Sequence, residues 1–220
     1  MRAALVLAFV LCGVQTTVAD PPTPIAAPCE RNDSIGAVRR YLLPVLASAG
    51  KTGRIYYEAI CPRVKDHPLA FPQIEVCAPL TNATDLAAVR SVFREEKGVL
   101  VSEDPSGIIR VRIGRVPDAI LQTRVSILKL TPIDQFNVLP AIWAINSAPE
   151  VQSAGERLHI VLPMRVIASM PVMRPAEGLP HLPAELSNVT VDQALDMVAR
   201  TWGRIVFYGA CTEPGTYEIF

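Results

Sequence analysis

The first nineteen residues constrain this 220-residue chain more than any other stretch. Arg2 precedes an apolar run over residues 3–14, and small residues close the segment at Thr17-Val18-Ala19, the pattern of a secretory signal peptide cleaved before Asp20. The run is too short to persist in a bilayer as a spanning helix. The fold must then be built from residues 20–220 in an oxidising compartment, periplasmic or secreted. Cleavage removes Cys12 and leaves Cys29, Cys61, Cys77 and Cys211, an even set for which disulfides are the expectation. Four cysteines allow three pairings. Cys61 with Cys77 is favoured because the two flank one proline-rich loop, whose closure would stabilise by about 3 kcal/mol, and Cys29 with Cys211 follows by elimination. The bulky Leu11 before Cys12 argues against a lipoprotein signal.

Of 21 basic and 21 acidic residues the leader holds one basic and no acidic one, so the mature chain carries a net charge of −1. Such balance argues against a general nucleic-acid binder, which needs clustered excess cations to displace counterions from phosphates. It also gives no electrostatic reason to sit on an anionic membrane, and no membrane insertion is expected once the leader is gone.

Residues 20–32 are proline-rich and read as an extended leader. From Ser34, the residues Ile35, Val38, Leu42, Val45, Leu46 and Ala49 recur at helical spacing up to Gly50, with a kink expected at Pro44. Strands are predicted at 54–60 and 73–78, and a helix over 84–96 with Gly98 past its end. Strands at 99–102 and 108–113 flank Glu103-Asp104-Pro105-Ser106-Gly107, a turn in which Pro fixes φ and Gly tolerates positive φ. In the second of them Ile109, Val111 and Ile113 alternate with Arg110 and Arg112, which predicts one core face and an outward guanidinium face.

The later part repeats this order. Thr131-Pro132-Ile133-Asp134 starts a capped helix, and residues 168–183 read as a loop. Thr190 and Gln193 form a capping box for a helix carrying Val191, Leu195, Val198 and Trp202, which Gly203 ends. Strands at 204–208 and 217–220 follow. Residues 82–94 and 188–200 align without a gap on Asn, Thr, Ala, Val and Arg, which suggests a duplicated helix-strand-strand unit. The expected architecture is α+β, with two small related subdomains over 33–116 and 117–220, each with helices packed on a short mixed sheet.

Leu186-Ser-Asn-Val-Thr-Val-Asp-Gln-Ala-Leu195 and Met197-Val-Ala-Arg-Thr-Trp-Gly-Arg-Ile-Val206 resemble the short N-terminal domain shared by bacterial secretins and TonB-dependent receptors. Residues 53–57 and the helix start at Asn82-Ala-Thr84 resemble a fuller copy of the same domain. The resemblance implies a small α+β periplasmic module that docks an envelope protein partner and carries no catalytic residues. Four cysteines are a departure from that family, and with no pore-forming or β-barrel segment following, a free-standing module is expected.

No catalytic, cofactor or metal residues are assigned. Ser126-Ile-Leu-Lys129 and Lys51-Thr-Gly53 match penicillin-binding signatures in the wrong order and without the larger scaffold. Met164, Met170, Met173, His159 and His181 would suit cuprous ion, a copper-handling alternative, although methionine is more often a packing residue. Cys61, His67 and Cys77 lack the close paired spacing of a zinc site. Glu95-Glu96 and Glu103-Asp104 read as solvated carboxylates, not pairs converging across a cleft. Asn32, Asn82 and Asn188 match the glycosylation pattern, though the last two double as helix starts. A second alternative is a small hydrolase or transferase acting on envelope material with a histidine base. The residues singled out for binding are Arg110, Arg112 and Arg115, as a docking face for a partner protein, with an exposed strand edge as the alternative surface.

Overall fold

Three parallel strands form the spine of the structure, because their residues alternate between two faces that are both covered. β2 (Gly53–Ala59) pairs in parallel on one side with β5 (Ile109–Ile113) and on the other with β9 (Ile205–Cys211). β4 (Val99–Glu103) adds antiparallel to β5, giving the order β4-β5-β2-β9. This computed structural model describes residues 29–33, 36, 38–59, 73–79, 85–114, 118–158, 160–161, 178–203, 205–211 and 217–218.

On one face Ile55, Tyr57, Ile109, Val111 and Ile113 pack against α1 (Leu43–Ser48) and α2 (Asp85–Val92), which contribute Val45, Leu46, Ala88, Val89 and Val92. Pro44 sits in the first turn of α1, and the chain enters through a π-helical turn, Val38–Leu42. A proline ring crowds the carbonyl four residues back, and a widened turn relieves that contact. α2 ends at Val92, short of the predicted 96, and residues 93–95 continue as tight turns, with the Phe93 amide donating to the Arg90 carbonyl. Beside these helices β1 (Cys29–Asp33) pairs antiparallel with β3 (Gln73–Cys77).

That pairing sets Cys29 opposite Cys77, and the two form a disulfide. The expected pairings of Cys61 with Cys77 and Cys29 with Cys211 are therefore corrected. Sequence proximity favoured the shorter loop, but register in the sheet decided the partner. Closing a loop across 48 positions stabilises by about 4 kcal/mol in the chain-entropy account. It also draws residues 29–32, read as leader, into the fold as a strand. Cys61 and the side chain of Cys211 lie outside the described residues.

The opposite face is covered by elements from the later part of the chain. β6 (Arg124–Lys129) and β8 (Glu185–Thr190) pair antiparallel, and α3 (Pro132–Phe136), α4 (Val138–Asn146) and α5 (Pro149–Leu158) lie between them in sequence. α6 (Val191–Trp202) has the predicted capping box, with the Gln193 amide donating to the Thr190 hydroxyl and the Gln193 side chain accepting from the Thr190 amide. Gly203 ends it at φ 57°. Val191, Ala194, Leu195, Val198 and Ala199 of α6 join Tyr56, Val206, Tyr208, Val125, Leu186 and Ile145 in a second core.

The class is α+β, as expected. The order strand, helix, strand, strand also recurs, as β3-α2-β4-β5 and as β8-α6-β9-β10, where β10 is Tyr217–Glu218. The pairing does not recur. β4 and β5 form an antiparallel hairpin, whereas β9 crosses to β2, and β10 pairs in parallel with β7 (Ile160–Val161). Residues 33–116 and 117–220 thus share one sheet. Gly209, opposite Tyr57 in the β9–β2 ladder, makes room for the Tyr57 ring, which a Cβ there would meet.

Candidate functional site

Alternation that sends Ile55 and Tyr57 into the first core sends Arg54 and Tyr56 to the other face, and the same parity places Arg110 and Arg112 of β5 beside them. α6 lies over this face, with Asp192 and Asp196 four residues apart on one side of the helix. Arg54 is fully buried. Its Nη1 donates to Asp196 Oδ1 at 2.8 Å and to the Asp192 carbonyl at 3.0 Å, and Nη2 lies 3.2 Å from Asp192 Oδ1. Nε has no hydrogen-bond partner among the described residues. Arg110 reaches three carboxylates: Asp192 at 3.0 Å, Asp104 at 3.1 Å, and Asp196. The Tyr56 hydroxyl donates to Asp192 at 2.8 Å and accepts from Arg110.

A guanidinium without contact to water costs several kcal/mol unless its charge is compensated, and the two aspartates of α6 supply that compensation. Burial raises the Asp196 carboxyl above its ordinary range and outweighs the opposing pull of Arg54 and Arg110. Burial also pushes the Tyr56 and Tyr208 hydroxyls well above theirs. Burial works against the charge of Arg110, but Tyr56, Asp192 and Asp196 outweigh it and hold Arg110 above its ordinary value. At Asp104 burial is likewise outweighed: hydrogen bonds from the Ser106 hydroxyl, the Ile108 and Ser106 amides and Arg110 keep the carboxyl below its usual range.

α6 covers this face only in part. Over β4 and β5 a groove of about 440 Å³ stays open, lined by Leu100, Ser102, Arg112, Leu121, Gln122 and the edge of the charged cluster at Tyr56 and Asp192. Arg112 pairs with Asp118 at 2.8 Å across its wall and lies over the Tyr56 ring at 5.4 Å. Leu100 is 66% exposed on its rim.

The groove runs along the outer strand of the sheet. Amide hydrogen bonds from Asp104 to the Ile108 carbonyl and from Gly114 to the Gly98 carbonyl fix the phase of the β4–β5 ladder. In an antiparallel pair the residues that exchange both bonds alternate with those that exchange none. Leu100 and Ser102 therefore turn their backbone groups to β5, and Val99, Val101 and Glu103 turn theirs outward. Among the described residues no strand pairs with that edge; the Val101 carbonyl accepts from the exposed Arg90 at 3.4 Å.

Arg110 and Arg112 stand opposite the apolar core as expected, but that face is only partly open: a β-strand pattern cannot tell water from a second covering layer, and α6 and the 118–122 turn reach over it, leaving 22% and 33% of the two side chains exposed beside the groove. Arg115 lies outside the described residues, as do the side chains of Met164, Met170, Met173 and His159. His181 is exposed and stacks on Phe136 at 5.0 Å, away from the groove. Lys51 pairs with Glu103, whereas Ser126 is exposed and its amide donates to Glu150. Of the carboxylates read as solvated, Glu96 accepts from the Glu75 and Gly98 amides and Asp104 joins Arg110. Arg54, Tyr56, Asp192 and Asp196 were not singled out from the sequence. Their signal was present as two acids spaced i, i+4 along the margin of the apolar stripe of α6 and a cation among the apolar and aromatic residues at the start of β2.

Among the described residues no cluster of His, Cys, Asp and Glu is arranged to hold a metal ion, and no helix is long and apolar enough to cross a membrane. Comparison with protein-family models, with curated proteins and with solved structures gives no match for this chain.

Proposed function

We propose that this chain is a periplasmic or secreted, non-catalytic binding module that engages an envelope protein by adding a strand of the partner to β4. The observation that carries the reading is the outward backbone of Val99, Val101 and Glu103 beside a groove with Leu100 on its rim. An exposed edge with an apolar rim is a template for an extended segment, whose main chain gives affinity while alternate side chains give specificity. The leader, the disulfide and the resemblance to secretin and TonB-receptor short domains agree with this role and compartment. The charged cluster supports it indirectly. Its guanidinium groups are occupied by the protein's own carboxylates, so it acts as the fastening of α6, and recognition falls to the edge.

The test uses the disulfide-bonded mature chain as bait in an envelope extract, with Leu100→Lys and Val101→Pro as edge variants. Lysine on an edge discourages strand addition, and proline at an outward-facing amide removes a donor without breaking the β4–β5 ladder. Capture of a discrete protein by the wild type, lost in both variants with circular dichroism unchanged, is expected. Capture that survives both variants would show that the edge is not the docking site.

A further inference from the structure

The two sides of the open edge differ in charge, and from that difference we infer the chemistry of the partner segment. It is an extended strand that alternates apolar side chains, turned to the groove, with carboxylates, turned to α2. This rests on the strand-addition reading above. A strand laid against β4 sends successive side chains to opposite faces of the sheet. On the groove side an incoming residue meets Leu100 and Leu121, and the ionic groups there are cross-paired, Arg110 with the aspartates and Arg112 with Asp118. A charged side chain there would give up water beside groups whose charges already balance one another, whereas an apolar one covers Leu100.

Among the described residues the exposed cations of α2 and of the turn leading into β4 are Arg90 and Lys97. The acids near them, again among the described residues, are Glu96, held by two backbone amides, the half-buried Glu75 that gives it one of those amides, Glu103, paired with Lys51, and the exposed Glu95. Arg90 donates to the Val101 carbonyl, which an added strand would claim with its own amide. Binding therefore releases the Arg90 guanidinium at the point where the partner's next side chain emerges, and a carboxylate there would receive it. A second copy of this chain fits less well. Two β4 strands paired antiparallel about Val101 would bring Arg90 against Arg90.

The probe is a fluorescein-labelled peptide of alternating Glu and Leu, read by anisotropy against the mature disulfide-bonded chain. A Lys/Leu peptide and a Glu/Leu peptide with a central proline serve as controls. The Glu/Leu peptide should bind about tenfold more tightly than the Lys/Leu peptide, and the proline peptide should not bind. Arg90→Glu, a change at an exposed position, should invert the preference between Glu and Lys. Equal binding of the two, or a preference that Arg90→Glu leaves in place, would overturn the inference. So would sedimentation of the free chain as a dimer that Leu100→Lys dissociates, because the edge would then be filled by a second copy. Failure here is separable from failure of the reading beneath it: if Leu100→Lys abolishes capture from the extract but the peptides are not distinguished, strand addition stands and the partner chemistry falls.

Discussion

On one face of the central sheet Ile55, Tyr57, Ile109, Val111 and Ile113 meet α1 and α2 through apolar contacts, whereas on the other Arg54, Arg110 and Arg112 stand among Tyr56, Val206 and Tyr208 beneath α6. The same β-strands supply both. Apolar contacts are numerous, short in range and nearly interchangeable, so the first face loses stability in proportion to the atoms removed. Ion pairs away from water are mutually dependent: each charge is tolerable only while its partner is present. The first face should therefore respond to mutation in small steps and the second in large ones.

The largest expected effect comes from breaking the charged face at its most buried member. Arg54→Ala leaves Asp196 and Asp192 beneath the helix with Arg110 as their remaining cation, and should cost about 3–5 kcal/mol, read as a lowered urea midpoint with an unchanged slope. A loss below about 1 kcal/mol would mean that water reaches the aspartates and that the two faces are more alike than their contacts suggest.

Much of the apolar face was legible in the sequence and little of the charged one. Period-two alternation at Ile109, Val111 and Ile113, the Pro105–Gly107 turn and the Thr190–Gln193 capping box are local signals, and each element they predict is present. The identity of the layer above Arg110 and Arg112 is not local. It depends on β9 crossing to β2, which carries α6 over the sheet, and no residue of β5 encodes that. The disulfide failed for the same reason, since register between β1 and β3 joins positions 48 apart. The open edge was legible only as a general possibility; its phase required the ladder hydrogen bonds on either side of it.

A smaller effect sharpens the contrast from the apolar side. Ile109→Val removes one methylene from a fully buried position one residue away from Arg110, and should cost about 1 kcal/mol, with packing around it otherwise kept. Denaturation of this variant, of Arg54→Ala and of the double variant tests whether the faces are independent. Additive losses are expected, because the two side chains point to opposite sides of the sheet; a coupling above about 0.5 kcal/mol would show that the β-strands transmit strain between them.

The subtlest test titrates the charged face instead of cutting it. Because burial raises the Asp196 carboxyl above its ordinary 3.8, the folded chain binds more protons than the unfolded chain between 3.8 and the folded value, so stability falls as pH rises through that window. Asp104 has the opposite sign: its carboxyl is lowered, so its contribution is present above 3.8 and is lost as pH falls through the folded value. Asparagine in place of Asp196 keeps the shape of the protonated acid and cannot titrate. Asp196→Asn should therefore gain on the wild type as the urea midpoint is followed from about pH 4 to about pH 7, and Asp104→Asn should lose less than the wild type below about pH 4. If Asp196→Asn instead falls further behind with rising pH, the pull of Arg54 and Arg110 exceeds the penalty of burial, and the fastening of α6 is a net attraction in its charged form.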